Sequence, residues 1–503
     1  MKSRASRDAN KKTTELLLVN PPMALIPPDY PQPGMFTRFI QPAINPGILS
    51  IASYAIDRGH TVRIADFSEM GYLTKTIGEI DAFTKQLMRV LEDAQPIVFG
   101  VSNTSVFDYI ETGIAFRVAK EWNDKTICIA GGQNVSMLGE IALRENPQID
   151  CIVVGEGEYT VCSILERIRE GSAFHDVPGV MTRTKTGVHY SRAGSPVDLN
   201  TLPVPKFEVY PDFRRYIPFV EESRGCWAAC NFCINKPFYG RRVRIKRPEV
   251  LERDLANAVK HFGTNRLFAM TTSIFNRTSE PAVTEFCNRV KCYGVHWTTQ
   301  TRCDTKIGKF LPRLHESGLF LLNLGLESAS PKILSDMNKT INPLKYLEMA
   351  SDTLKAIEDI GTLWTCCNFI FFAGETRRTI LGTRSFLVKH RTAISAVVAN
   401  PLFGYPGSEL WLNPQKIINL GGLIFESEYC KRTHHFPVIP SKEFGLNEIG
   451  VFSEVLEKVF TPNPILDVEL DYRDMEPTFF GEKARDRELV PSVANRVDAF
   501  GTD

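Results

Sequence analysis

Three cysteines within eight residues, Cys226, Cys230 and Cys233, limit the chemistry of this 503-residue chain more than any other feature. They lie in the run Arg224-Gly225-Cys226-Trp227-Ala228-Ala229-Cys230-Asn231-Phe232-Cys233. Gly225 and the paired alanines let the backbone turn tightly, so the three thiols can converge on one metal centre. A closed structural zinc site takes four ligands, and no second Cys-x-x-Cys or Cys/His pair at finger spacing follows nearby. The fourth position is therefore open. A zinc knot, or three unrelated buried thiols, is the plain alternative.

At about 150 residues per domain, the length suggests roughly three domains. Hydrophobic residues make up 43% and charged residues 23% of the chain, enough apolar material for large cores. A net charge of +1 gives no case for nucleic acid or an anionic membrane as a partner. Twelve cysteines in so long a chain are no disulfide framework and read as metal ligands and small buried hydrophobes. The basic N-terminus leads only into the short apolar run 16–19, too short for a signal peptide, and nothing approaches a membrane span. These features point to a cytoplasmic protein.

In the N-terminal half, residues 1–14 read as a disordered lead-in and 23–46 as a long Pro-rich loop. Strands are predicted at 15–20, 61–66, 97–102, 126–130 and 151–154, with helices at 47–58, 108–121 and 158–170. Apolar strands alternating with helices predict an α/β fold, a doubly wound open parallel sheet over 15–171. Such sheets bind ligands beyond the carboxyl ends of their strands, where this chain carries Asn20, Ser102-Asn103-Thr104, Gly131-Gly132-Gln133 and Gly155-Glu156. Residues 172–216 read as a linker containing a hairpin at 180–190.

A second alternation follows the cysteines, with strands at 217–222, 266–270, 296–299, 319–324, 363–372 and 394–399. Helices are predicted from Pro248 to about 262 and at 281–292, 344–360 and 376–389. Six β/α units over 217–410 make a partial barrel, whose chemistry belongs on the loops at the C-terminal strand ends. The basic stretch 241–247 is a solvated face or a steering surface for an anionic substrate or partner. Cys303, Cys366 and Cys367 read as buried inert thiols by default. Beyond Trp411, residues 411–503 carry no legible motif.

The cysteine spacing, with an aromatic just before the last cysteine, resembles the signature of the radical S-adenosylmethionine enzymes. The resemblance implies that Cys226, Cys230 and Cys233 ligate three irons of a [4Fe-4S] cluster while S-adenosylmethionine chelates the fourth, and that Phe232 lies near the adenine. It further implies S-adenosylmethionine contacts at Gly325-Leu326-Glu327-Ser328 and Gly374-Glu375-Thr376. A carboxylate at a strand end, Glu327, suits ribose hydroxyls or the methionyl ammonium, with an N-cap or surface acid as its bland alternative. Arg302 can pair with the methionyl carboxylate or form a structural salt bridge. Thr271-Thr272-Ser273 stands where relatives often carry acids, so hydroxyls and carbonyls replace them in holding the ammonium.

The Asn-Pro-Pro after the first strand and the Val-Gly-Glu-Gly-Glu after the fifth resemble the cobalamin-binding domain that precedes the barrel in one large subgroup of this family. None of the nine histidines has Asp two residues before it, so the Asp-x-His-x-x-Gly axial ligand is absent. The combined resemblance implies a cobalamin-dependent enzyme that generates a 5′-deoxyadenosyl radical, methylates an unactivated carbon of a small molecule, and takes electrons from flavodoxin or ferredoxin. A capping role for 411–503 is implied likewise. Cyclisation or rearrangement, radical chemistry without cobalamin, and an iron–sulfur sensor without turnover stay open.

Overall fold

The computed structural model describes residues 14–22, 43–71, 77–271, 273–446, 448–450, 452 and 456. The expected lead-in, most of the 23–46 loop, Thr272 and the tail beyond 456 lie outside them. The chain divides into two compact units, with the break after Phe213.

The first unit is built on β1 (Leu16–Asn20), β2 (Val62–Asp66), β3 (Val98–Ser102), β4 (Ile127–Gly131), β5 (Cys151–Val153), β6 (Val180–Thr184) and β7 (Gly187–Tyr190). They form one sheet in the order β2-β1-β3-β4-β5-β6-β7. The first five strands are parallel, Leu16 facing Val62 on one side and Val98 on the other. The order 2-1-3-4-5 is a doubly wound one, with its switch point between β1 and β3. Central strands of such sheets are buried on both faces, and the run Leu16 to Val19 is buried throughout.

The helices of this unit are α1 (Pro46–Asp57), α2 (Ile77–Ala94), α3 (Tyr109–Trp122), α4 (Gln133–Leu138), α5 (Glu140–Glu145) and α6 (Glu158–Arg169). Asn45 caps α1 by accepting from the N–H groups of Gly47 and Ile48, and Pro46 sits at the first helical position, where its missing N–H costs nothing. Three helices, α2, α4 and α5, were not expected. In α2 the signal was present, since Phe83, Leu87 and Leu91 recur every fourth residue and are buried. The two six-residue helices are separated by Gly139 at φ 50° and carry too little periodicity to read.

The hairpin over 180–190 is more than a connector. β6 pairs antiparallel with β5, Cys151 opposite Thr182, and extends the sheet. Arg183 fastens it by donating to the carbonyls of Leu143 (2.6 Å) and Pro147 (2.7 Å). The extended stretch that follows also packs here, with Phe207 and Tyr210 buried and the Lys206 N–H donating to Ser53 Oγ.

In the second unit β8 (Ser223–Arg224) pairs antiparallel with β9 (Arg244–Ile245). A parallel sheet follows in chain order, β10 (Leu267–Ala269), β11 (His296–Arg302), β12 (Leu319–Glu327), β13 (Trp364–Phe371) and β14 (Ala396–Pro401). The segment expected as its first strand runs beside β10, bridging Phe219 to Ala269, with the Val220 and Glu222 N–H groups donating to Ala269 O and Met270 O. Helices α7 (Asn235–Tyr239), α8 (Pro248–Phe262), α9 (Glu280–Lys291), α10 (Leu311–Glu316), α11 (Pro331–Asp336), α12 (Pro343–Ile360) and α13 (Arg377–Lys389) separate the strands. Parallel strands in sequence order with intervening helices give a partial β/α barrel. Caps set the helix starts: Asn342 for α12, Thr376 in a capping box with Thr379 for α13.

Beyond the barrel a small antiparallel sheet forms from β15 (Phe403–Gly404), β16 (Leu423–Ile424) and β17 (Phe436–Ile439). No helix among the described residues is long and apolar enough to cross a membrane.

Candidate functional site

The cysteine loop leaves β8 through Gly225, whose φ is 92°. A Cβ there would lie 2.5 Å from Arg242 O, so only glycine allows this close approach of the two backbones. The loop is anchored by backbone groups that a short apolar-flanked turn must otherwise leave unsatisfied. The Asn231 N–H donates to Met337 O (3.1 Å), the Leu410 N–H to Asn231 O (3.1 Å), and the Asn338 side chain to Ala229 O (2.8 Å). Cys226, Cys230 and Cys233 are all half-buried, and all are free thiols.

Two cations face these thiols. Arg302, the last residue of β11, donates from Nη1 to Cys230 Sγ at 3.2 Å. Its Nε and Nη2 grip the two carboxylate oxygens of Asp304, each at 2.8 Å, and its guanidinium lies 4.7 Å over the Trp227 ring. Lys339, buried, holds Glu327 Oε1 at 2.9 Å. Burial draws the Lys339 ammonium toward neutrality, but the charges of Glu327 and Cys230 outweigh it and raise its pKa. Burial raises the Cys226 thiol, opposed by the Ala228 N–H and by Arg302. Cys233 is pushed up to about 11 by burial, with the Asn235 N–H and Lys339 among the opposing influences.

The donor set fits an iron–sulfur cluster. Thiolates are the ligands such clusters take, and a bound metal's own charge deprotonates a coordinating thiol outright. Among the described residues no three His, Cys, Asp or Glu side chains lie close enough to share a single metal ion.

Several residues expected to touch S-adenosylmethionine are already engaged. Arg302 spends its bidentate fork on Asp304, the structural salt bridge of the two readings. Phe232 packs edge-on against Phe372, centroids 6.5 Å apart, on the core around Ile333, Met337 and Leu410. Ser328 is fully buried; its Oγ accepts from the Ser330 N–H. Gly374, φ 85°, has its N–H on Pro440 O, and a Cβ there would meet Leu420 O, so this glycine serves contact with the segment after the barrel. Thr271 Oγ1 lies 3.1 Å from Ser223 Oγ. Glu327 sits within β12 rather than after it, at φ 64° beside a register shift, and is neither an N-cap nor a surface acid.

Lys339 and Asp304 were missed by sequence reasoning, as was the buried pair Arg277–Glu222 (2.7 Å). The run 241–247 divides: Arg241 and Arg242 are exposed, while Lys246 is buried against Asp254 at 2.7 Å. Cys303, Cys366 and Cys367 are buried, and burial pushes the first two thiols up to about 11 and about 12, as inert core cysteines require.

In the first unit the strand ends β1, β3, β4 and β5 bring Asn20, Ser102, Gly131 and Gly155 to one edge. The wholly buried Asn103 is its hub. It accepts from Asn134 Nδ2 (2.9 Å) and donates to Ser105 O (3.1 Å) and to Asp108. Gly132, φ 106°, packs directly on the Asn103 backbone, so its lack of a side chain serves the fold rather than a ligand. Gln133 opens α4, and the Thr104 N–H points at Asp108 (3.4 Å). Asn20 bridges Asp66 and Asn45, and Glu156 Oε2 accepts from the Val197 N–H (2.9 Å). Gly155 alone has open space where a side chain would be.

Residues 220–387 match the Radical SAM superfamily. An uncharacterized methyltransferase of Pyrococcus horikoshii is 26% identical over 391 residues, covering 76% of this chain and 81% of its own. The cytidylyl-2-hydroxyethylphosphonate methyltransferase of Streptomyces wedmorensis is 22% identical, covering 71% of this chain and 73% of its own. Among solved structures, the radical S-adenosylmethionine methyltransferase TsrM of Kitasatospora setae, with cobalamin and a [4Fe-4S] cluster bound, superposes with a TM-score of 0.65 over 83% of this chain and 81% of its own, at 16% identity. That likeness is one of fold. Residues 220–387, which carry the three half-buried thiols, are thus a domain of the radical S-adenosylmethionine type.

Proposed function

We propose that this chain is a cobalamin-dependent radical S-adenosylmethionine enzyme that methylates an unactivated carbon of a small-molecule substrate. The observation that carries the reading is the anchored loop of three half-buried thiols beside two buried cations, one of them, Arg302, the last residue of the parallel barrel strand β11. Cys226, Cys230 and Cys233 are assigned to the cluster. Glu327 and the backbone and hydroxyls around Thr271 and Thr272 are assigned to S-adenosylmethionine, and the strand-end edge of residues 15–171 to cobalamin, with Gly155 as the point of closest approach.

When bound, these groups supply electron transfer, homolytic cleavage of S-adenosylmethionine and a transferable methyl group. The chain supplies placement and electrostatics. Arg302 and Lys339 keep positive charge beside the thiolates, the Lys339–Glu327 pair fixes the carboxylate at the strand end, and the loop anchors hold the sulfurs at one register. Arg241 and Arg242 are assigned to docking an acidic electron carrier of the flavodoxin or ferredoxin kind, in the cytoplasm. Residues 411–503 are assigned to capping the barrel.

Radical chemistry without cobalamin is the second reading. It is favoured by the internal use of Gly132, Asn103 and Glu156, which leaves fewer groups at that edge for a corrinoid. The test is an ultraviolet–visible spectrum of protein purified without oxygen from cobalamin-fed cells, followed by assay with methyl-labelled S-adenosylmethionine. Corrinoid bands equimolar with the chain, and label in a carbon-methylated product, are expected. Iron without corrinoid selects the second reading, and zinc without iron overturns both.

A further inference from the structure

We propose that Arg302 tunes the cluster: it is a fixed hydrogen-bond donor to the sulfur of Cys230 and raises the cluster's reduction potential. This rests on the assignment of Cys226, Cys230 and Cys233 to a cluster and adds to it a role for a residue outside the ligand set. Of the two readings of Arg302, pairing with the methionyl carboxylate of S-adenosylmethionine or a structural salt bridge, the geometry favours the second. Nε and Nη2 already hold both oxygens of Asp304, Nη2 also reaches the Lys339 carbonyl, and the guanidinium face is covered by the Trp227 ring. With its side chain 7% exposed and the fork committed, Nη1 is fixed where it donates to Cys230 Sγ at 3.2 Å.

A guanidinium stays protonated at any pH a protein survives, so this is a permanent positive charge on a thiolate ligand. Accepting one electron makes the cluster and its ligands more negative by one unit. A cation and an N–H donor at the sulfur stabilise that reduced state more than the oxidised one, and hydrogen bonds to the sulfurs are among the recognised determinants of cluster potential. Little solvent reaches the guanidinium, so screening is weak. The Asp304 carboxylate offsets part of the charge but lies on the far side of the fork, and it enforces the direction of the Nη1 donor. Lys339, buried beside the same thiols, adds a second positive charge.

The test uses the full chain with its cluster reconstituted, without S-adenosylmethionine, titrated with dithionite and followed by electron paramagnetic resonance of the reduced cluster. In Arg302→Met the reduced-to-oxidised ratio at a fixed potential is expected to fall about tenfold, which for a one-electron couple is about 59 mV to more negative potential. Arg302→Lys, which keeps the charge but not the directed donor, should shift less. An unchanged potential in a loaded Arg302→Met variant overturns the proposal. Should that variant load no cluster, wild-type protein grown with ¹⁵N-guanidino arginine decides: pulsed resonance shows a ¹⁵N coupling to the reduced cluster if Arg302 donates to it, and its absence overturns the proposal. Wild-type protein that assembles no iron at all fails at the earlier step and takes the cluster assignment with it.

Discussion

At the scale of single residues, the site depends on charges that have left water in matched pairs. Lys339 and Glu327 are both largely buried and paired at 2.9 Å. Lys339→Met leaves the carboxylate buried and uncompensated, which typically costs about 3 kcal/mol or more. The second-unit unfolding midpoint in urea should fall accordingly, and Lys339→Met with Glu327→Leu should recover much of the loss; a single variant as stable as wild type would contradict the pairing. Asp108 behaves differently, for burial pushes its carboxyl up to about 8 against an ordinary value near 4. Between those pH values the folded chain holds a proton there that the unfolded chain has released. Stability is therefore full below about pH 4 and declines as pH rises toward 8, by up to about 1.4 kcal/mol per unit. Asp108→Asn should flatten this slope in urea midpoints taken at pH 5.5 and 7.5. Glu375, likewise pushed up to about 8 by burial, keeps its own slope in that variant.

At the scale of elements, the cysteine loop exists because β8 and β9 bring Arg242 against Gly225. Gly225→Ala forces both a strained φ and a backbone clash. Iron content after anaerobic reconstitution should drop well below that of wild type while the far-ultraviolet dichroism stays the same; full loading would show the close approach to be dispensable. The elements themselves were largely legible. The apolar runs of β1, β3, β12 and β13 and the Pro- and Asn-capped helices α1 and α12 announce themselves by period and cap. Helices α4 and α5 are too short for a period, and the hairpin β6–β7 gives no sign of its sheet, because strand pairing is a long-range choice that local sequence does not record. Of the candidate site, the sequence names the three thiols, Arg302 and Glu327, and leaves their partners unnamed. Cysteine spacing is local; Asp304 lies only two residues from Arg302 but belongs to no motif, Lys339 reaches Glu327 only through folding, and Ser328, Gly374 and Gly132 make packing contacts that no motif distinguishes from ligand contact.

At the scale of the whole molecule, two α/β units carry the chain, one a doubly wound sheet and the other a partial barrel with a small antiparallel sheet after it. Alternating strands and helices predicted both, since parallel strands require crossover helices. The proposed function rests on the loop whose three thiols the fold half-buries beside Arg302 and Lys339. The task proposed for this loop is to hold a cluster able to cleave S-adenosylmethionine. Its most direct test is to supply the anaerobically reconstituted chain with dithionite and S-adenosylmethionine and to measure 5′-deoxyadenosine. Wild-type protein should form it and Cys230→Ala should form essentially none; S-adenosylmethionine left intact by an iron-loaded wild-type chain would contradict the account.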